Sequence, residues 1–410
     1  MLIRVSLTLW VLCGTLATFP MIYAQQALPY DYPRPVDTRT KQIQKQEKKT
    51  WALGAIQVTN QFDGARLNGF SQKNDSTYIV QIVPENKPIN SSPWYAFKIW
   101  SAIPQTVWLE FQYKEAKHRY FPKVSMDGHF WELLDSSRII QNDTVQALLH
   151  LTLTPDTLWV AAQEIVTSAQ VHAWCRQLAL SPDVKYGVVG KSMLGREIPM
   201  LEISQDSVAD KEAILLLSRQ HPPEVTGFMA LQAFLDALLA PTPLATAFRK
   251  KYRILVFPLM NPDGVDLGHW RHNAGGVDLN RDWAYYNQPE TRQVANFVVQ
   301  AVKKDHNQVI LGLDFHSTWQ DVYYTCQEVN PQIPGFKDYW LQGIAASIPG
   351  YTPREEPSEI AQPVSKSWFL TQFGAEGVTF EIGDDTPRDF IAKKGHTAAI
   401  EMMQLLVLRR

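Results

Sequence analysis

The sequence predicts an α/β domain with a mixed, largely parallel sheet flanked by helices, preceded by an all-β sandwich domain. Two observations carry this. Between about 51 and 160, short runs rich in β-branched and aromatic residues are separated by turn clusters. From 161 onward, apolar runs alternate with helical patterns, as in sheets buried on both faces.

In the first region the runs are "STYIVQIV", "WYAFKIW", "TVWLEFQY" and "LLHLTLT", several alternating with period two. "PENKPINSSP" and "MDG" supply turns. In the second, "SAQVHAWCRQLAL" predicts a helix. "YGVVGKSMLGREIPMLEIS" predicts two strands joined at Leu194-Gly195. The strand-like runs "AILLLS", "YRILVFPLM", "QVILGLDF" and "EGVTFEI" then interleave with the helix-like "VTGFMALQAFLDALLA", "ETRQVANFVVQAV" and "AAIEMMQLLVL".

Ahead of both regions, Arg4 followed by "LTLWVLCGTLATF" and a small residue at Ala24 has the layout of a secretory leader, too short to span a bilayer comfortably. Residues 25–50 are Pro-rich, then Lys/Gln-rich, and predict a linker. The expected division is therefore 1–24 leader, 25–50 linker, 51–160 sandwich and 161–410 α/β domain. It makes the mature chain exported, periplasmic or secreted, with no stable membrane insertion after leader cleavage. A formal net charge of −2 over 410 residues argues against general nucleic-acid binding, which needs a strongly basic face. Beyond the leader only Cys175 and Cys326 remain, so this is not a disulfide scaffold, and their pairing is open.

In α/β sheets ligands sit at the carboxyl ends of strands, so the residues after each apolar run matter most. After "AILLLS" come His221 and Glu224, separated by two prolines. After "VILGLDF" comes His316. Two His and one Glu is a ligand set that catalytic zinc uses, with a fourth position left for water. After "YRILVFPLM" comes "HWRHNAGGVDLNRDW", with Arg271, Asp278, Asn280 and Arg281, and after "EGVTF" comes Glu381. A metal hydrolase needs ligands, a carboxylate to take a proton and cations for charge on the substrate. A fork-shaped Arg beside an amide donor suits a substrate carboxylate.

These residues resemble the zinc carboxypeptidase family, specifically the subgroup like the cytosolic carboxypeptidases, which carry a β-sandwich ahead of the peptidase domain. The resemblance covers about 51–410. It implies one Zn²⁺ on His221, Glu224 and His316, with Glu381 as general base and Arg271 stabilising the oxyanion. It also implies that Asn280 and Arg281 bind the terminal carboxylate of a peptide or protein substrate, and that Asp278 orients the first zinc histidine. The position two before Trp368, Lys366, would line the pocket for the last side chain and favour an acidic one. One departure stands out. The position where the family presents a mobile capping tyrosine falls on Glu359, with Tyr351 the nearest substitute. Asp282 is expected to make a surface ion pair. Two other readings share the motifs: a zinc amidohydrolase of the desuccinylase or aspartoacylase type, and an inactive binding scaffold.

Overall fold

The computed structural model describes residues 42–409 apart from 88, 142–146, 328–330, 359 and 361. The leader, most of the linker and Glu359 lie outside the described residues.

Residues 50–161 form two facing sheets. One has six strands, in the order Thr50–Leu53, Ile56–Thr59, Ala96–Ser101, Leu158–Ala161, Lys123–Ser125, Glu132–Leu133. The other has five, in the order Gly69–Gln72, Thr77–Ile82, Gln105–Tyr113, Ala147–Leu153, Ile139–Ile140. Period-two patterning explains the core between them. In Gln105–Tyr113 the inward positions Val107, Leu109, Phe111 and Tyr113 are buried. They meet Val58, Phe97, Ile99 and Val160 of the opposite sheet.

A helix, Ser168–Leu178, follows; Thr167 caps it reciprocally with Gln170. Next comes an eight-stranded mixed sheet. Its order is Val184–Lys191, Glu197–Ile203, Tyr252–Phe257, Glu212–Ser218, Gln308–Thr318, Glu376–Gly383, Val322–Cys326, Glu355–Ser358. The four strands from Tyr252–Phe257 to Glu376–Gly383 run parallel to one another. The pairs on either side of this block are antiparallel. The first two strands form the expected hairpin, and Gly195 takes φ +89° at its turn.

The central strands are apolar on both faces because helices cover both. From Glu212–Ser218, Ile214 and Leu216 pack with the helices Val225–Leu239 and Arg388–Leu408. Leu215 and Leu217 pack on the other side with Pro289–Lys304 and Ser365–Phe373. Each such side chain contributes about 1.5–3 kcal/mol on burial. Gly227 brings Val225–Leu239 against the strand bearing His316, where an added Cβ would collide with the His316 backbone. Cys175 and Cys326 are both buried and unpaired with each other.

Candidate metal centre and active-site cleft

Three strand ends converge. His221 follows Glu212–Ser218, and Glu224 caps the start of Val225–Leu239. His316 lies near the end of Gln308–Thr318, and Glu381 near the end of Glu376–Gly383. Parallel pairing makes His316 and Glu381 direct register partners. A fourth strand end, after Tyr252–Phe257, leads into the segment that carries Arg271, Asp278, Asn280 and Arg281.

The Glu224 carboxylate lies between the imidazoles, 2.7 Å from His221 Nδ1 and 2.6 Å from His316 Nδ1. One ligand atom from each of the three residues falls within 4.8 Å of the others. The outer nitrogens have their own carboxylates. His221 Nε2 is 2.9 Å from Asp278 Oδ1, and His316 Nε2 is 2.7 Å from Asp314 Oδ2. A carboxylate at Nε2 holds the proton there and leaves the Nδ1 lone pair for a cation. Two such histidines and a carboxylate, all buried, fit a zinc ion, and no other group of at least three such ligands forms among the described residues.

Electrostatics agree with that donor set. Burial alone would raise the Glu224 carboxyl, but His221 and His316 outweigh it and hold it well below the usual range. Asp278 is likewise held low against burial by Arg271, whose Nε donates to its Oδ2 at 2.7 Å, and by His221. Glu381 goes the other way. Burial pushes it up to about 8, with Glu224 and Asp314 adding to the rise and His316 and Arg271 opposing it. Its Oε2 has no hydrogen-bond partner among the described residues. A divalent cation nearby would draw this carboxyl back down.

All of these side chains except the buttressing Asp278 and Asp314 line one cavity of about 570 Å³, within the ~300–1,000 Å³ range of ligand pockets. Asn280 and Arg281 line it too. Asn280 Oδ1 accepts the Ser365 N–H at 2.9 Å, and Arg281 Nη1 donates to the Asn280 carbonyl at 2.8 Å. Lys366 also lines the cavity but is itself buried. Its Nζ donates to the carbonyls of Thr325 (3.0 Å) and Ser358 (3.5 Å), and no carboxylate forms an ion pair with it among the described residues. Burial lowers its pKa.

Two expectations need correction. Asp282 makes no surface ion pair. It is 1% exposed and accepts the N–H groups of Asn287 (2.9 Å) and Gln288 (2.8 Å) and the Thr291 hydroxyl, at the entry to the helix Pro289–Lys304. Tyr351 does not reach the cleft. It packs on Phe390 and over Lys394, while the tyrosine lining the cavity is Tyr324, one strand away.

Several contributors escaped the sequence reading. Asp314 stands two before His316 on an extended run, hence on the same face, a signal that was available. It also accepts from Gln220 Nε2 at 2.5 Å and from the Ser365 hydroxyl. The sandwich contributes Asn90, Ser92 and Arg119 to the cavity wall. From the sandwich too, the fully buried Glu85 accepts the backbone N–H groups of Trp270 (2.8 Å), Arg271 (3.0 Å) and His272 (2.8 Å). No sequence pattern links these residues to segments more than a hundred positions away.

Comparison with known proteins agrees with this geometry. Residues 171–334 match the family model described as zinc carboxypeptidase. An uncharacterised protein of Zymomonas mobilis is 24% identical over 359 residues, covering 81% of this chain and 90% of that one. Cytosolic carboxypeptidase 2 of Danio rerio is 31% identical over 177 residues, a match spanning 38% of this chain but only 24% of that larger protein. The fold of a metallo-carboxypeptidase from Burkholderia cenocepacia superposes with a TM-score of 0.71 at 17% identity, over 86% of this chain and 99% of that one. Residues 171–334 are thus similar in sequence to the zinc carboxypeptidase family, and the architecture as a whole is similar in fold to a metallo-carboxypeptidase.

Proposed function

We propose that this protein is a zinc-dependent carboxypeptidase that hydrolyses the C-terminal peptide or isopeptide bond of its substrate, with a preference for an acidic last residue. The observation that carries the reading is the convergence, in one cavity, of a His-Glu-His ligand set, an unpartnered carboxylate at Glu381 and the cations Arg271, Arg281 and Lys366.

His221, Glu224 and His316 would hold the zinc. When bound, it supplies Lewis acidity toward a water and the scissile carbonyl. Asp278 and Asp314 keep the ligand imidazoles oriented and in the tautomer that leaves Nδ1 free. Glu381 accepts the proton of the attacking water and returns it to the leaving amine. Arg271, fixed through Nε by Asp278, presents its other N–H groups to the developing oxyanion, a contribution of roughly 3–4 kcal/mol at comparable donors. Asn280 and Arg281 take the substrate's terminal carboxylate. That anchor selects a chain end over an internal bond. Lys366 then meets the last side chain. A buried ammonium whose partners are two carbonyls and the Cys326 thiol gains most from an anionic side chain.

Export is proposed on the leader-like residues 1–24 alone.

The test is digestion of a C-terminal peptide library, read by mass spectrometry, with N-acyl amino acids assayed in parallel. Loss of single C-terminal residues supports the reading. Cleavage of N-acyl amino acids alone favours the amidohydrolase, and full zinc loading with no turnover favours a scaffold.

A further inference from the structure

We infer that Arg119, from the sandwich, and Trp319, three residues past His316, form the binding site for the peptide backbone upstream of the scissile bond. This rests on the carboxypeptidase reading and deepens it.

The placement follows from strand register. Along Glu376–Gly383, Glu381 is the reference point. Lys366 bonds the Thr325 carbonyl, and Thr325 pairs with Val378, three residues before Glu381. Arg119 bonds Asp384, three residues after it. The groups that hold the two cations therefore lie on opposite sides of the base along the strand, one paired three residues before it and one just past the strand's end. A peptide whose last side chain sits by Lys366 and whose scissile carbonyl sits by Glu381 must run its earlier residues toward Arg119. The cavity extends there, with Asn90, Ser92 and Arg119 in its wall.

The chemistry of that wall suits a backbone. The Arg119 side chain is only 7% exposed and tightly held. Nε and Nη2 lie 2.8 and 2.7 Å from Asp384 Oδ2, and Nη1 donates to the Ser91 carbonyl (3.0 Å) and the Ser92 hydroxyl (2.9 Å). Nη2 keeps a second N–H with no protein acceptor among the described residues. Asp384 neutralises the charge, so what remains is a rigid donor for a carbonyl rather than a receptor for an acid. Trp319 stacks on this guanidinium at 4.6 Å, yet is 62% exposed. An exposed indole seated on a buried cation that itself lines the cavity is a platform for an extended chain.

The experiment uses the full zinc-loaded chain and three substrates with the same last two residues: an N-blocked dipeptide, a tripeptide and a pentapeptide. Both kcat/KM and calorimetric affinity are measured. Wild type should gain about tenfold from shortest to longest, since remote contacts are used in the transition state. Arg119→Ala and Trp319→Ala should each reduce that gain to near one. Trp319 is exposed, so its variant keeps the test open if Arg119→Ala fails to fold. A length gain retained in a folded variant overturns the inference, as does a wild type with no gain. Length-dependent binding without turnover would sink the peptidase reading and leave the subsite standing.

Discussion

Glu85 and Arg271 belong to different parts of the molecule, and the carboxylate of the first accepts the backbone N–H of the second at 3.0 Å. The same carboxylate takes the N–H groups of Trp270 and His272, so one buried anion shapes the whole turn from which Arg271 reaches Asp278. The sandwich therefore builds part of the cleft. Glu85→Gln puts an amide N–H₂ against backbone donors. It should cost about 1–3 kcal/mol of stability for the unsatisfied groups, and kcat should fall more than KM rises. Denaturant melts and steady-state kinetics check this. Unchanged kcat would confine Glu85 to a structural role.

The same residue sets an acid dependence. Burial opposes ionisation of Glu85, but its hydrogen bond to His272 and the charges of His269, His272 and Arg66 overcome it and hold its pKa well below the carboxylate range. A depressed folded-state pKa stabilises fully above the unfolded value, near ~4.3, and the benefit is lost as pH falls below it. Wild type should lose stability from about pH 4 downward more steeply than Glu85→Gln. Parallel slopes would remove Glu85 from the account.

Zinc retention should depend on the ligand residues and on the acids that hold their outer nitrogens. His221→Ala should lose most bound metal. Asp278→Ala and Asp314→Ala should each cost about ten- to a hundredfold in affinity or activity, since each holds the outer nitrogen of one ligand imidazole. Metal analysis after dialysis against a weak chelator measures this. Full occupancy in a His221→Ala, His316→Ala double variant would place the metal elsewhere.

Glu381→Gln should fold, keep zinc and bind peptide, with turnover reduced about 10² or more. Its Oε2 has no protein partner among the described residues, so little structure depends on the charge. Wild-type turnover in this variant would make Glu381 a structural acid.

What was legible in the sequence shares one physical origin. His221, His316 and Glu381 follow apolar runs, and a buried parallel strand leaves polar residues only at its ends. Asp314 was hidden inside such a run, legible only through its spacing from His316. Asp282 misled because a charge beside charges reads as surface, whereas unpaired N–H groups at a helix entrance drew it inside. Tyr351 misled because counting along a loop assumes a fixed loop length. Strand pairing instead sets Tyr324 opposite Thr379, and both line the cavity. Glu85 and Arg119 were illegible, since pairing between domains leaves no periodic trace.

Specificity rests on Lys366. The residue is 4% exposed, and its ammonium meets two carbonyls and the Cys326 sulfur rather than a carboxylate, an arrangement that costs stability unless a ligand supplies the anion. Burial already lowers its pKa, so it loses its proton more readily than an exposed lysine as pH rises. Peptides differing only in the last residue should rank Glu above Leu above Lys. The Glu advantage should be about tenfold or more, equivalent to ~1.4 kcal/mol, and should shrink toward alkaline pH as the ammonium deprotonates. Lys366→Met keeps the volume and removes the charge. It should move the preference to Leu and raise the melting temperature, because an unpaired buried cation is gone. Lys366→Asp should favour Lys. A ranking that stays the same in both variants would show that the substrate's last side chain lies elsewhere.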